Sequence, residues 1–407
     1  MRLLLLLVPL LFLPEASSMA QAQTPPPPTP AQTAVADANN AFALDLYGQL
    51  RKRPGNLFFS PESISTAFAM AYAGARGDTA AQMAATLHFT LPPDRLHPAM
   101  GVLLTDLNAA HPGYQLHVAD ALWAEKDFNF LDDYLKLTAA NYGAGFNRVD
   151  FKGASEAARS TINQWVDEKT ENKIKDLLPP GSVTSATRLV LTNAIYFKGD
   201  WQDQFNKAST QDEDFHLSAS QTVKTPLMHI EERFGYFDAG PYQLLDIPYK
   251  SRELSMVVFL PKDSAGLPAL EKSLTAASVQ KSLDQLRGSA KVILSLPKFK
   301  MTQQFELENT LSDLGMSLAF QPTAADFSAM TGKKDFWISA AIHKAYIDVN
   351  EEGTEAAAAT AIVMRSMAMA RELPPVVFRA DHPFVFLIRD NRSGAILFMG
   401  RVSDPTK

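Results

Sequence analysis

Residues able to do covalent chemistry are few and scattered in this chain of 407 residues. It has no cysteine, which excludes a thiol nucleophile, thiolate metal sites and a disulfide framework. It has no G-x-S-x-G turn to expose a serine and no H-E-x-x-H helix to hold a catalytic zinc. Gly332-Lys333-Lys334 lacks the upstream glycine and the Ser/Thr of a phosphate-binding loop, and Gly143-Ala144-Gly145 lacks a third glycine. His216 and His229 lack a metal-ligand spacing. His343 reads as a hydrogen-bonded core histidine. No enzyme and no bound metal or cofactor is expected. The stretch with a distinctive physical capability is Glu351-Glu352-Gly353-Thr354-Glu355-Ala356-Ala357-Ala358-Ala359-Thr360.

Residue propensity makes 354–364 a helix, because alanine leads that scale. Its flanks disagree. Ala341 to Asn350 reads as a strand running into it, and Met364 to Pro375 has no periodicity and ends on Pro-Pro. Read with period two, the even positions Thr354, Ala356, Ala358, Thr360, Ile362 and Met364 are uncharged, and the first three are small. Glu355 and Arg365 both fall on the odd side. The segment is therefore suited to be either an exposed loop or a central strand with its charges in water. Gly353 supplies a hinge.

Other elements must position that stretch. Asp37 to Arg51 reads as a helix, with Phe42, Leu46 and Leu50 on one stripe. Asn56 to Ile64 is a short strand turning into a helix, with Ser60 as N-cap and Pro61 at the first helical position. Further helices are expected at Asp78–Leu87, Pro93–Ala109, Asn129–Ala139, Ser155–Asn172, Ser264–Arg287 and Phe305–Leu314. Strands are expected at Tyr114–Ala124, Arg188–Phe197, Leu254–Pro261 and Val292–Pro297, with a C-terminal hairpin at Phe384–Ile388 and Ala395–Val402.

These blocks together resemble the serpin family, inhibitory type. The carrying residues are N-L-F-F-S-P-E-S-I at 56–64, R-L-V-L-T-N-A-I-Y-F-K-G-D-W at 188–201, the Asp214–Met228 segment, the hinge itself, and P-F…F-M-G-R-V at 383–402. The resemblance spans about residues 37 to 405. It implies an α+β serpin fold with three β-sheets, eight or nine helices and an exposed reactive-centre loop. It places Ser60, Ser63, Asn193, Trp201 and His343 where strands of the central sheet part.

It also implies suicide inhibition of serine proteases. A protease attacks a bait bond, and the cut loop enters the central sheet as a new strand before the acyl-enzyme is hydrolysed. Family spacing, sixteen positions after Glu351, puts the bond at Met367–Ala368. Methionine suits elastase-, chymotrypsin- or subtilisin-like pockets. The stretch to Phe378 is about two residues longer than in familiar members, so Met364, Arg365, Ser366, Met369 and Arg371 stay open. Cutting after Arg365 or Arg371 would imply a trypsin-like target. The alternatives are a non-inhibitory serpin (chaperone, carrier or storage protein) and an inhibitor of a cysteine protease.

The remaining expectations concern export and partners. Arg2, the apolar run Leu3–Leu13 and Ala20-Gln21-Ala22 read as a signal peptide over 1–22, hence a secreted or periplasmic protein. Residues 23–36 begin with Q-T-P-P-P-P-T-P and read as a Pro-rich linker, with the serpin domain over 37–407. A net charge of −6 argues against nucleic acid, and no later apolar run suits a membrane span. The helix from Pro93 offers only Arg95 and His97, so no heparin site is expected. The partner is a target protease, met by a monomer.

Overall fold

The computed structural model describes residues 27–143, 145–286, 288–354 and 374–407. Its strands fall into one six-stranded sheet and a larger assembly in which two further sheets share a strand. The shared strand is Gln221–Asp238. It pairs with Gln211–Ser218 and Ala290–Pro297 over its first part, and with Tyr242–Pro248 over residues 235–238. Ten α-helices surround the sheets among the described residues, the shortest being the single turn Ser328–Thr331.

Four strands of the six-stranded sheet position the hinge. Leu189–Asp200 is buried along nearly its whole length and lies between two neighbours. On one side Tyr114–Glu125 runs antiparallel to it. On the other, Ile338–Val349 pairs with it in parallel from Ile338 to Tyr346. Phe299–Glu306 then pairs antiparallel with Ile338–Val349. Burial on both faces explains why R-L-V-L-T-N-A-I-Y-F carries no polar alternation.

Helix Pro61–Tyr72 lies beneath this sheet. Ser60 caps it by accepting the Ser63 amide hydrogen bond, and Pro61 begins it, as the sequence predicts. Every residue from Pro61 to Ala71 is buried. The C-terminal hairpin, Phe384–Asp390 with Ile396–Val402, is fully paired in the second sheet.

Several expectations are corrected here. The first helix runs Pro30–Leu50, starting seven residues inside the stretch read as linker. Thr29 and Gln32 form a reciprocal cap, Pro30 suits the first turn, and Val35 and Ala36 are buried. The helix expected over 264–287 is two, Leu267–Ser273 and Ala276–Asp284, because Thr275 caps the second with Ser278. Phe305 and Glu306 end strand Phe299–Glu306, and the helix begins at Leu307. Strands Phe146–Val149, Tyr242–Pro248 and Val376–Arg379 are additions that the sequence pattern does not announce.

Burying a whole helix face has a cost at Glu62, which is 5% exposed and bonded only to the Thr66 hydroxyl, at 3.1 Å. Burial raises its carboxyl to about 7, and the Thr66 bond offsets this only in part. A carboxyl raised on folding stabilises nothing above its folded value: the folded state holds the extra proton between pH 4.5 and 7, so its contribution falls as pH rises through that window. Glu62→Gln removes this loss. We expect denaturant unfolding to give the variant and the parent similar stability at pH 4.5. At pH 8 the variant should be more stable by up to about 3 kcal/mol. A constant difference across pH would refute the assignment.

Candidate functional site

The hinge is built around a turn and a two-residue strand. Strand Ile338–Val349 ends, Asn350 accepts at its side chain from the Glu352 amide, and its own amide donates to the Gly353 carbonyl at 2.8 Å. Gly353–Thr354 then enters between the two parallel strands, antiparallel to both. Thr354 sits opposite Val349 on one side and Gly199 on the other. Gly353 is required there. A Cβ on it would stand 2.0 Å from the Gly199 carbonyl oxygen.

Thr354 is fully buried, and its hydroxyl meets that of Tyr249 at 2.8 Å. Its inward orientation is the one the period-two reading assigns to the even positions. Residues 355–373 lie outside the described residues, and with them Glu355, Ala356, Ala357, Ala358, Ala359, Thr360 and the bait pair Met367 and Ala368.

The turn is fastened to the segment after strand Leu189–Asp200. The Trp201 amide donates to the Glu352 carbonyl and its indole N–H to the Asn350 carbonyl, both at 2.9 Å. Trp201 also stacks on Tyr249, with ring centres 4.6 Å apart. The Phe205 amide donates to the Glu351 carbonyl. Glu351, 4% exposed, accepts from Lys298 and Thr210, each at 2.8 Å. Burial alone would raise its carboxyl, but Lys298 and Thr210 outweigh burial and hold it below the usual range. Glu352 pairs with Lys207 nearer the surface.

About halfway down the same two strands lies a buried polar chain. His343 and Asn193 are register partners, and their side chains are hydrogen-bonded. The Ser60 amide donates to His343 Nε2 at 3.1 Å, so the ring proton is on Nδ1 and is given to Asn193 Oδ1. Asn193 Nδ2 in turn donates to Ser63 Oγ and Asp120 Oδ1. Ser63 also donates to Asp120, and Ser60 Oγ donates to the Leu397 carbonyl. Burial lowers His343 to about 3, which keeps it neutral.

The five residues expected at the strand opening thus fall in two groups. Ser60, Ser63, Asn193 and His343 form one connected network beneath the sheet, and Trp201 stands apart against the hinge turn. Sequence reasoning misses Tyr249, Lys298, Thr210 and Asp120. The first three are tertiary partners without a local pattern. Asp120 does leave a signal, as a lone acid within V-A-D-A-L-W. Burial pushes its carboxyl well above the usual range, with Ser63 and Asn193 offsetting only part.

Comparisons with known proteins bear on this arrangement. The family model Serpin (serine protease inhibitor) matches residues 37–405. The chain is 43% identical over 380 residues to leukocyte elastase inhibitor of Homo sapiens, covering 91% of this chain and 99% of that protein. It is 42% identical over 377 residues to Serpin B6 of Macaca fascicularis, again covering 91% and 99%. Maspin, in a crystal structure, superposes with a TM-score of 0.86 at 30% identity, over 93% of this chain and 100% of that one.

One expectation is overturned by these relatives. They are matched along nearly their whole length by a region that in the family model begins at residue 37, so they carry no counterpart of the segment read as a signal peptide. The secreted or periplasmic location and the signal peptide over 1–22 are corrected accordingly. Leukocyte elastase inhibitor is by its name a protease inhibitor and not an enzyme. With a family match over nearly all of its folded part and relatives above 40% identity, the chain belongs to the serpin family of serine protease inhibitors.

Proposed function

We propose that this serpin traps elastase-like serine proteases as acyl-enzymes, using Met367–Ala368 as bait and the gap begun at Thr354 as the path of insertion. The observation that carries this reading is the seat of Thr354. It is a strand residue already between Leu189–Asp200 and Ile338–Val349, which pair directly beyond it. The protease serine oxygen would bond to the Met367 carbonyl carbon, and the Ala368 amine would leave carrying a proton from the protease histidine. The new amine end frees the loop. The ester holds the protease to Met367.

Continuing the Thr354 register down both strands brings Thr360 level with His343 and Asn193, and Arg365 to the end of the paired region near Leu189. Met367 then emerges just past the far end of the sheet. The insertion path is about 36 Å long, at about 3.3 Å per residue. Arg365 falls on the outward side, where its charge stays in water. The hinge residues 351–360 and the network of Ser60, Ser63, Asn193 and His343 serve this opening, with Trp201 anchoring the turn.

The reading includes a monomer that needs no heparin-like polyanion. In helix Pro93–Leu107 the basic residues are Arg95 and His97, and His97 is 1% exposed with Nδ1 on the Tyr142 hydroxyl at 2.6 Å.

Two outcomes are expected. Incubated with elastase, the protein forms a complex stable in detergent and releases a C-terminal peptide beginning at Ala368. A peptide beginning elsewhere relocates the bait bond, and clean cleavage without a complex rejects the trapping mechanism for that enzyme. Thr354→Arg places a charge in a fully buried seat against Tyr249, so insertion slows and the stoichiometry of inhibition rises on the order of tenfold or more. Unchanged stoichiometry in that variant would show that insertion does not pass through this seat.

A further inference from the structure

Four large hydrophobic side chains are well exposed among the described residues: Val102, Leu131, Ile293 and Val377. Val102 lies within helix Pro93–Leu107 and Leu131 at the start of helix Asp132–Tyr142. The other two belong together. Ile293 and Val377 are register partners in the parallel pair of Ala290–Pro297 with Val376–Arg379. Paired residues project on the same face. Val377 is 59% exposed, the most of the four. Their sequence neighbours Val292, Leu294 and Phe378 are fully buried on the opposite face.

Ion pairs border this apolar pair. On one side Lys291 bonds Glu231, the residue opposite Ile293, at 2.8 Å. Two residues along the edge strand, Arg379 bridges Glu213 and Asp381, and Glu213 also takes His229 at 2.7 Å. An exposed apolar centre inside a polar rim is the composition of a recognition surface.

We propose that Val377 and Ile293 are a docking contact for the body of the target protease, outside its substrate cleft. The proposal rests on the inhibitory reading above. The occupant follows from the chain. Nineteen residues, 355–373, connect Thr354 to Pro374, and six of them lie between the Met367–Ala368 bond and Pro374. From Met367 to Pro374 the chain reaches at most about 25 Å. A protease cleft grips several residues on each side of the bond it cuts, which shortens the free tether further. Pro374-Pro375 fixes two φ angles and stiffens the last step into strand Val376–Arg379. A protease on the bait bond is therefore held within a few residues of Val377.

The test uses the full chain with elastase. Val377→Ser, Ile293→Ser, their double variant and the β-branched Val377→Thr are compared with Val102→Ser as control. The second-order rate of inhibition, the stoichiometry and the melting temperature are measured for each. We expect the double variant to associate about tenfold more slowly, Val377→Thr to be slowed in the same direction, and stoichiometry and melting temperature to hold. Val102→Ser should match the parent. Unchanged association rates in variants that still trap protease overturn the docking contact alone. Failure of the unaltered protein to trap any protease overturns the inhibitory reading and this contact with it. A concentration-dependent dimer lost in the double variant, with the inhibition rate unchanged, would assign the patch to a second copy of the chain and reject the proposal.

Discussion

The structure depends on a parallel pairing that is complete along most of its length and open at one end. Leu189–Asp200 and Ile338–Val349 bond directly from Ile338 to Tyr346, and Thr354 separates their upper ends. Parallel ladders are slightly weaker per residue than antiparallel ones. A strand entering between the two would replace one parallel ladder by two antiparallel ladders and bury a row of small side chains. The driving force for insertion therefore resides in the native sheet itself.

The network in the middle of the sheet sets the cost of opening. His343 and Asn193 face each other across the pairing; His343 is tied to the helix cap at Ser60, and Asn193 to Ser63 on that helix and to Asp120 on the neighbouring strand Tyr114–Glu125. Parting the strands separates His343 from Asn193, and each buried group left without a partner costs about 1–3 kcal/mol. An incoming Thr360 hydroxyl at that level can both donate and accept, so it is able to bridge the two.

Legibility in the sequence follows the locality of the physics. Ser60-Pro61 is readable because capping is a contact between near neighbours, and Leu254–Pro261 is legible to the residue because a continuous apolar run between turn residues has one strand reading. Phe299–Glu306 escapes that reading although Phe299, Met301 and Phe305 are buried at period two, because its last residues run directly into Leu307–Asp313 and look like part of that helix. The edge strand Val376–Arg379 is four residues long and follows Pro-Pro, which reads as a loop until Ala290–Pro297 is placed beside it. At the hinge, period two identifies the inward face, whereas Tyr249, Thr210 and Lys298 lie 53 to 141 residues away in sequence from the groups they bond, and no local pattern selects them.

Rate, more than energy, decides between inhibitor and substrate, and the cover over the opening strands bears on rate. After helix Phe151–Lys169 the chain crosses the front of the sheet. Lys173 stands over the rings of Tyr196 and Tyr346, Lys344 donates to the Lys175 carbonyl, and Gln304 donates to the Leu177 carbonyl. This segment must yield before a strand can pass beneath it. Three of its residues, Glu171, Asn172 and Asp176, hold left-handed backbone with φ of 49°, 63° and 49°. Asn and Asp adopt this geometry readily, so the cost falls mainly on Glu171, on the order of 1 kcal/mol. Displacing the segment releases that strain, which partly offsets the breaking of its hydrogen bonds and cation–ring pairs. The hydrogen bonds and cation–ring pairs of this cover therefore set part of the barrier to insertion, in its competition with hydrolysis of the acyl-enzyme.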